Sequence, residues 1–116
     1  MTTTIEQSAV ASHRIPENRP PTHPGEMLLE EFLKPLGVSQ RELADRMGVH
    51  YPRVNELVNG KRGVTPETAV MLAKILGTSP QLWLNLQQTW DLYQTFNDPS
   101  AGEKLDRVRP LDRDVS

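Results

Sequence analysis

Apolar residues recur at helical spacing in five blocks along the chain, separated by short runs of glycine, proline and hydroxyl residues. Leu28, Leu29, Phe32, Leu33 and Leu36 form one stripe. It predicts a helix that starts near His23-Pro24, where proline fits a first turn, and ends at Pro35 and Gly37. Glu26, Glu30 and Glu31 make that helix acidic early. Leu43, Ala44 and Met47 share a face of a second helix, and Val54, Leu57 and Val58 a face of a third. Ser39, with Glu42 three residues on, predicts a capping box at the start of the second. Gly48 lies between the two, at a place where a left-handed residue lets the chain stop one helix and turn sharply into the next. Val49 is placed to plug that corner from inside, and Ala44 is small enough for a close crossing. Thr65-Pro66 starts a fourth helix with Ala69, Leu72, Ala73 and Leu76 inward and Gly77 at its end. Ser79-Pro80 repeats the start signal for a fifth, reaching about Gln94.

The fifth block carries more apolar surface than one face needs. Leu82, Trp83, Leu86, Trp90 and Tyr93 line one side, whereas Leu84, Leu92 and Phe96 fall off it. A helix apolar on two sides has two neighbours. The second is either another copy of the same helix, which makes Leu84, Leu92 and Phe96 dimerisation candidates, or the chain's own C-terminal tail. From Asn97 onward the sequence is polar, and Leu105, Val108 and Leu111, spaced at three, allow a short helical turn. The pattern therefore predicts an all-α fold. Residues 1–22, with Pro16, Pro20 and Pro21, form a flexible arm; residues 23–94 form a five-helix domain; residues 95–116 form a polar tail.

Gln40, Ala44, Gly48, Val54 and Leu57 stand at the spacing of a helix-turn-helix, whose second helix enters the DNA major groove; the alternative is a plain helical hairpin in a bundle. With Val54, Leu57 and Val58 inward, Pro52, Asn55, Glu56 and Asn59 point away and Tyr51 and Arg53 flank them, behind His50 at the cap. His50, Tyr51, Pro52, Arg53, Asn55 and Glu56 are the base-reading candidates. Glu56 suits a cytosine amino group, Arg53 a guanine or a phosphate, and Tyr51 or Pro52 a thymine methyl. Gln40 and Arg41 at a helix N-terminus, and Asn59, Lys61 and Arg62 after the reading helix, are the phosphate candidates.

Net charge is −2 over 116 residues, which by itself argues against a nucleic-acid partner. Its distribution alters that inference. Between residues 38 and 63 stand Arg41, Arg46, Arg53, Lys61 and Arg62 against Glu42, Asp45 and Glu56, and the excess of acid lies elsewhere. Cysteine is absent, so disulfides and thiolate chemistry are excluded. No stretch resembles a signal peptide or a membrane span, which leads us to expect a soluble, cytoplasmic protein. An enzyme is not expected. His13, His23 and His50 are dispersed, and no carboxylate pair, activated nucleophile, metal-ligand set, cofactor motif or phosphate loop stands out.

HPGEMLLEEFLKPLG at 23–37, VSQRELADRMGV at 38–49 and the run from Asn59 to Tyr93 resemble the HigA family of antitoxins, within the phage-repressor (Xre/Cro) class of helix-turn-helix proteins. The resemblance spans roughly residues 20–94. It implies a five-helix phage-repressor-like domain with N- and C-terminal extensions, dimerisation, repression of the encoding operon, and neutralisation of a RelE-like (HigB-type) toxin that cleaves mRNA on the ribosome. It places reading-helix positions on His50, Tyr51, Pro52, Arg53 and Glu56 and phosphate positions on Gln40 and Asn59. In two places this sequence departs from the pattern. His50 stands where serine or threonine is usual and makes a poorer cap. Pro52 has neither an amide nor a long polar side chain.

Three functions are compatible with these residues. One is an antitoxin that binds an inverted-repeat operator as a homodimer and sequesters a toxin, with the N-terminal arm or the acidic first helix as candidate grips. The second is a phage-type or solitary repressor without a toxin. The third is an interaction protein that keeps the fold without binding DNA.

Overall fold

The computed structural model describes residues 20–112, all helix and connecting turn. The arm expected over residues 1–22 therefore lies outside the described residues except for its last three. Helix α1 spans 24–36 as three continuous stretches: Pro24–Met27, a wide π-type turn at Leu28–Leu33, and Lys34–Leu36. It is followed by α2 (Gln40–Met47), α3 (Tyr51–Val58), α4 (Pro66–Leu76), α5 (Pro80–Phe96) and α6 (Pro99–Asp106).

Each start is fixed by a local acceptor. Ser39 Oγ accepts the Glu42 amide at 3.0 Å, Thr65 Oγ1 that of Thr68 at 3.2 Å, and Ser79 Oγ that of Leu82 at 3.1 Å. Each such cap contributes about 1 kcal/mol. Only half of the expected capping box forms, because the Glu42 carboxylate turns to Arg46, 3.1 Å away.

Helix α1 departs from the expectation in two places. Pro35 was expected to help end the helix, and it sits within it; Gly37, at φ 68°, is the stop. In a regular helix the proline ring would crowd the carbonyl four residues back. In the wide turn just before it the Lys34 amide donates to Leu29, five back, so the helix is widened where the proline enters. The same turn advances the buried stripe by five residues. Leu28 and Leu33 are 0% and 1% exposed, whereas Leu36, expected to be buried, is 59% exposed.

The core is one cluster around Leu28, Leu33, Leu43, Val54, Leu72 and Trp83. Helix α2 packs on α3 and α4, α4 on α5, and α1 closes the cluster against α3 and α5. The fifth helix continues to Phe96 rather than Gln94, and the tail folds further than expected. A helical turn was anticipated around Leu105 to Leu111; the helix forms earlier, at Pro99–Asp106, because Asp98 caps it by accepting the Ser100 amide at 3.1 Å and Pro110 bars its extension. It packs on α5 and leaves Leu105, Val108 and Leu111 exposed. Among the described residues no helix is long and apolar enough to cross a membrane.

His23 is buried where α1 begins. Its Nδ1 accepts the Gly25 amide at 2.9 Å, and its ring stands edge-on to Trp90 at 5.0 Å. Burial holds its imidazole below the usual histidine value of 6.5, against the opposing pull of Asp91 and Glu26. Between the lowered folded value and 6.5 the unfolded chain binds a proton that the folded protein does not, so acid favours unfolding. The His23 contribution is therefore complete above 6.5 and declines as the pH falls through that value towards the folded one. Denaturant unfolding of wild type and His23→Asn, which keeps a cap, is expected to show the wild type losing more stability from neutral to mildly acidic pH. Identical pH profiles would contradict this.

Candidate nucleic-acid interface

The corner between α2 and α3 is built by Gly48, at φ 74°. Its amide donates to Asp45 at 3.1 Å and the next amide, Val49, reaches back to Ala44 at 3.0 Å, which satisfies the last carbonyls of α2. Val49 packs against the core and Ala44 is buried at the crossing. His50 begins α3 with an extended backbone and makes no side-chain cap bond. At the other end Gly60, at φ 75°, donates to Leu57 at 3.0 Å while Lys61 reaches back to Glu56 at 2.8 Å. This fold-back carries Lys61 and Arg62 beside the last turn of α3. Val54, Leu57 and Val58 anchor the helix from within, 1%, 3% and 8% exposed.

The outer side chains fall into two groups. The first spans α2 and α3. Asn55 Nδ2 donates to Gln40 Oε1 at 3.0 Å and to the Tyr51 hydroxyl at 3.2 Å, and Asn55 Oδ1 accepts from Asn59 at 3.2 Å. The Arg41 guanidinium lies over the Tyr51 ring, 4.3 Å from its centroid. The second group lines an open hollow of about 400 Å³ formed by Gly48, Val49, His50, Pro52, Arg53, Glu56 and Arg62. Here Glu56 Oε1 accepts from Arg62 Nη2 at 2.9 Å and Nε at 3.1 Å. Arg53 Nη2 donates to Thr68 Oγ1 at 3.4 Å.

The sequence candidates on α2, α3 and the following loop thus fall into these two groups, with Lys61 beside them at the end of α3. His50, Pro52, Arg41, Asn59, Lys61 and Arg62 are exposed; Gln40, Tyr51, Arg53, Asn55 and Glu56 are half-buried. Asn55 stands in the outer group, with its amide engaged by Gln40 and the Tyr51 hydroxyl, a pairing that the spacing within α3 does not show. Thr68 was not legible as part of this surface. It is 5% exposed and takes its place beside Arg53 through its bond to the capping Thr65, 3.1 Å, a relation no spacing within α3 announces. The Glu56–Arg62 pair is half-exposed on both sides and worth little in water, about 0–1 kcal/mol, so it opens readily to a competing phosphate or base. Of the dimerisation candidates, Leu92 and Phe96 are 46% and 64% exposed with α6 in place. Leu84 is half-buried against the core and is only partly available.

Two short helices at a glycine corner, with the second anchored by three buried aliphatics and fringed by polar and cationic groups, define a helix-turn-helix domain. A sequence profile described as Helix-turn-helix matches residues 29–83. Antitoxin HigA-1 of Vibrio cholerae is 48% identical over 94 residues, 80% of this chain and 86% of that protein. An uncharacterized HTH-type transcriptional regulator of Escherichia coli K12, YbaQ, is 42% identical over 93 residues, 80% and 82% of the two chains. The solved structure of the Pseudomonas aeruginosa antitoxin HigA with the higBA promoter superposes with a TM-score of 0.72 at 34% identity, covering 79% of this chain and 99% of that one. The chain belongs to the helix-turn-helix family that contains the HigA antitoxins and related transcriptional regulators, a family of DNA-binding regulators and not of enzymes.

Proposed function

We propose that this protein is an antitoxin that represses its own operon, binding an inverted-repeat operator as a homodimer and sequestering a RelE-like toxin of the HigB type. The observation that carries the DNA reading is the outer side of α3, where Pro52, Arg53 and Glu56 frame an open hollow flanked by cations at both ends of the motif. Arg53 and Glu56, with Pro52 and His50 at the rim, read base edges. Gln40, Arg41, Asn59, Lys61 and Arg62 hold phosphates, which sets register without reading sequence. Asn55 ties the two helices together and keeps Gln40 in place. Leu92 and Phe96, exposed at the end of α5, support pairing of two copies there, and two copies match half-sites about one helical turn apart or a multiple of it. The toxin reading is supported by the likeness to antitoxin HigA-1, and the acidic start of α1 suits a basic partner.

A fluorescence-anisotropy titration on DNA from upstream of the gene tests the DNA reading. Arg53→Ala is expected to weaken binding by about 1–3 kcal/mol and to relax specificity at one position. Lys61→Ala is expected to lower the slope of log K against log salt by about 0.9, equally for all sequences. No binding by the wild type at low salt would overturn operator recognition. The likeness to YbaQ, an uncharacterized HTH-type transcriptional regulator, favours a second reading, a repressor without a toxin. Co-purification with the product of the adjacent gene separates the two: a stable complex supports the antitoxin, and its absence the solitary repressor.

A further inference from the structure

We infer that Tyr51 is a positioning residue: its ring holds the Arg41 guanidinium in place, charged and un-neutralised, so that it meets a DNA phosphate already ordered. The inference rests on the DNA-binding reading above and deepens it. Tyr51 is fixed at two points, by the Arg41 guanidinium 4.3 Å from its ring centroid and by the Asn55 amide that donates to its hydroxyl at 3.2 Å. Asn55 in turn reaches Gln40 at 3.0 Å, so the first turn of α2 and the start of α3 are joined through this ring.

What distinguishes Arg41 from Arg46 and Arg62 is the kind of partner that holds it. Arg46 and Arg62 are held by carboxylates at 3.1 and 2.9 Å, contacts that engage guanidinium N–H groups and cancel the charge. Among the described residues no carboxylate lies within ion-pair distance of Arg41. A guanidinium held over an aromatic ring meets no lone-pair acceptor and no negative charge there, so its N–H groups stay available to a bidentate acceptor. Arginine is among the side chains that lose most rotamer freedom when ordered. Ordering it before DNA arrives removes part of that cost from the binding step, and the cation–π contact does so without offering the phosphate an anionic competitor.

Titrations over a salt series test this, with thermal midpoints to confirm that each variant folds. Tyr51→Leu, which removes the π face, is expected to weaken binding about 3-fold on operator and unrelated DNA alike, as for an exposed cation–π contact. It should also make the salt slope shallower by up to about 0.9. Tyr51→Phe keeps the face and is expected to keep the wild-type slope. In an Arg41→Ala background, Tyr51→Leu is expected to cost no more than Tyr51→Phe, a coupling that a purely structural role of the ring would not produce. An equal cost in both backgrounds, or an unchanged slope in Tyr51→Leu, would overturn the inference while leaving operator binding intact. A wild type that binds no DNA overturns the reading on which it rests.

Discussion

Replacing Trp83 with alanine is expected to destabilise the domain by about 4 kcal/mol, the range found when a fully buried aromatic is truncated. Trp83 is 0% exposed, its ring lies 5.4 Å from that of Phe32, and its indole N–H donates to Thr78 Oγ1 at 2.7 Å. It joins α5 to α1, and the loop before α5 supplies its one polar partner. Truncation leaves a cavity where those elements meet and the Thr78 hydroxyl without its donor. A domain of this size is stable by about 5–15 kcal/mol in total, so a large share is lost. The thermal midpoint should fall by about 20 °C, since each kcal/mol shifts it by about 4–8 °C at this length. Trp83→Phe, which preserves most of the packing, should lose much less. A loss below about 1 kcal/mol for Trp83→Ala would contradict the packing described.

Gly25→Ala is expected to cost about 3 kcal/mol, at the upper end of overpacking effects. A Cβ built at Gly25 falls on the carbonyl oxygen of Leu57 and lies 2.9 Å from Val58 Cα. These are backbone atoms of the last turn of α3 and cannot rotate away. The methyl group has to part α1 from α3, and Leu57 is one of the three side chains that anchor the reading helix. Operator affinity should therefore fall further than the folded fraction accounts for. Gly102 provides the matched control, because a Cβ there meets nothing within 4 Å. In the interior of α6, Gly102→Ala is expected to be neutral or to stabilise by about 0.5–1 kcal/mol. Equal effects at the two glycines, measured by denaturant unfolding, would show that the close approach of α1 to α3 does not matter.

Where a helix boundary depends on neighbours in sequence, the chain could be read directly. Ser39, Thr65 and Ser79 cap the helices they were expected to cap, and Gly37, Gly48 and Gly77 end helices at positive φ. The inward side of α3 followed from the spacing of Val54, Leu57 and Val58. The sixth helix was within reach as well, because Asp98-Pro99 repeats the start signal of Thr65-Pro66 and Ser79-Pro80. Other features depend on distance through space. The wide turn in α1 lies just before Pro35, and a strict 3.6-residue period, which placed Leu28 and Leu33 inward correctly, does not show the widening or the exposure of Leu36. Gln40 and Asn55 are 15 residues apart, and nothing in either neighbourhood indicates that their amides meet. The Arg41–Tyr51 and Arg53–Thr68 contacts are likewise set by distance through space. The outward residues of the motif were thus legible as a set, and the division between groups bonded to one another and groups left open was not.

That division bears on how the surface works. Gln40, Asn55, Tyr51 and Asn59 form a bonded frame, whereas Arg53, Glu56 and Arg62 surround a hollow and are held only by a half-exposed ion pair and a long hydrogen bond. Groups of the second kind can exchange their partners for bases and phosphates at small cost. A rigid frame beside exchangeable groups suits the sequence-specific recognition proposed above.

The most direct measurement of whether α3 enters a DNA groove uses the absence of cysteine from the chain, which makes any introduced cysteine a unique attachment point. A DNA-cleaving chelate is attached at Pro52→Cys, on the exposed start of α3, and in a second preparation at Lys74→Cys, on the exposed side of α4. Bound to DNA from upstream of the gene, the position-52 probe is expected to cut within two half-sites about one helical turn apart, or a multiple of it, with the position-74 probe silent there. Bound complexes in which the position-52 probe leaves the DNA uncut, or cuts no more than the position-74 probe, would contradict the assignment of α3 as the reading helix.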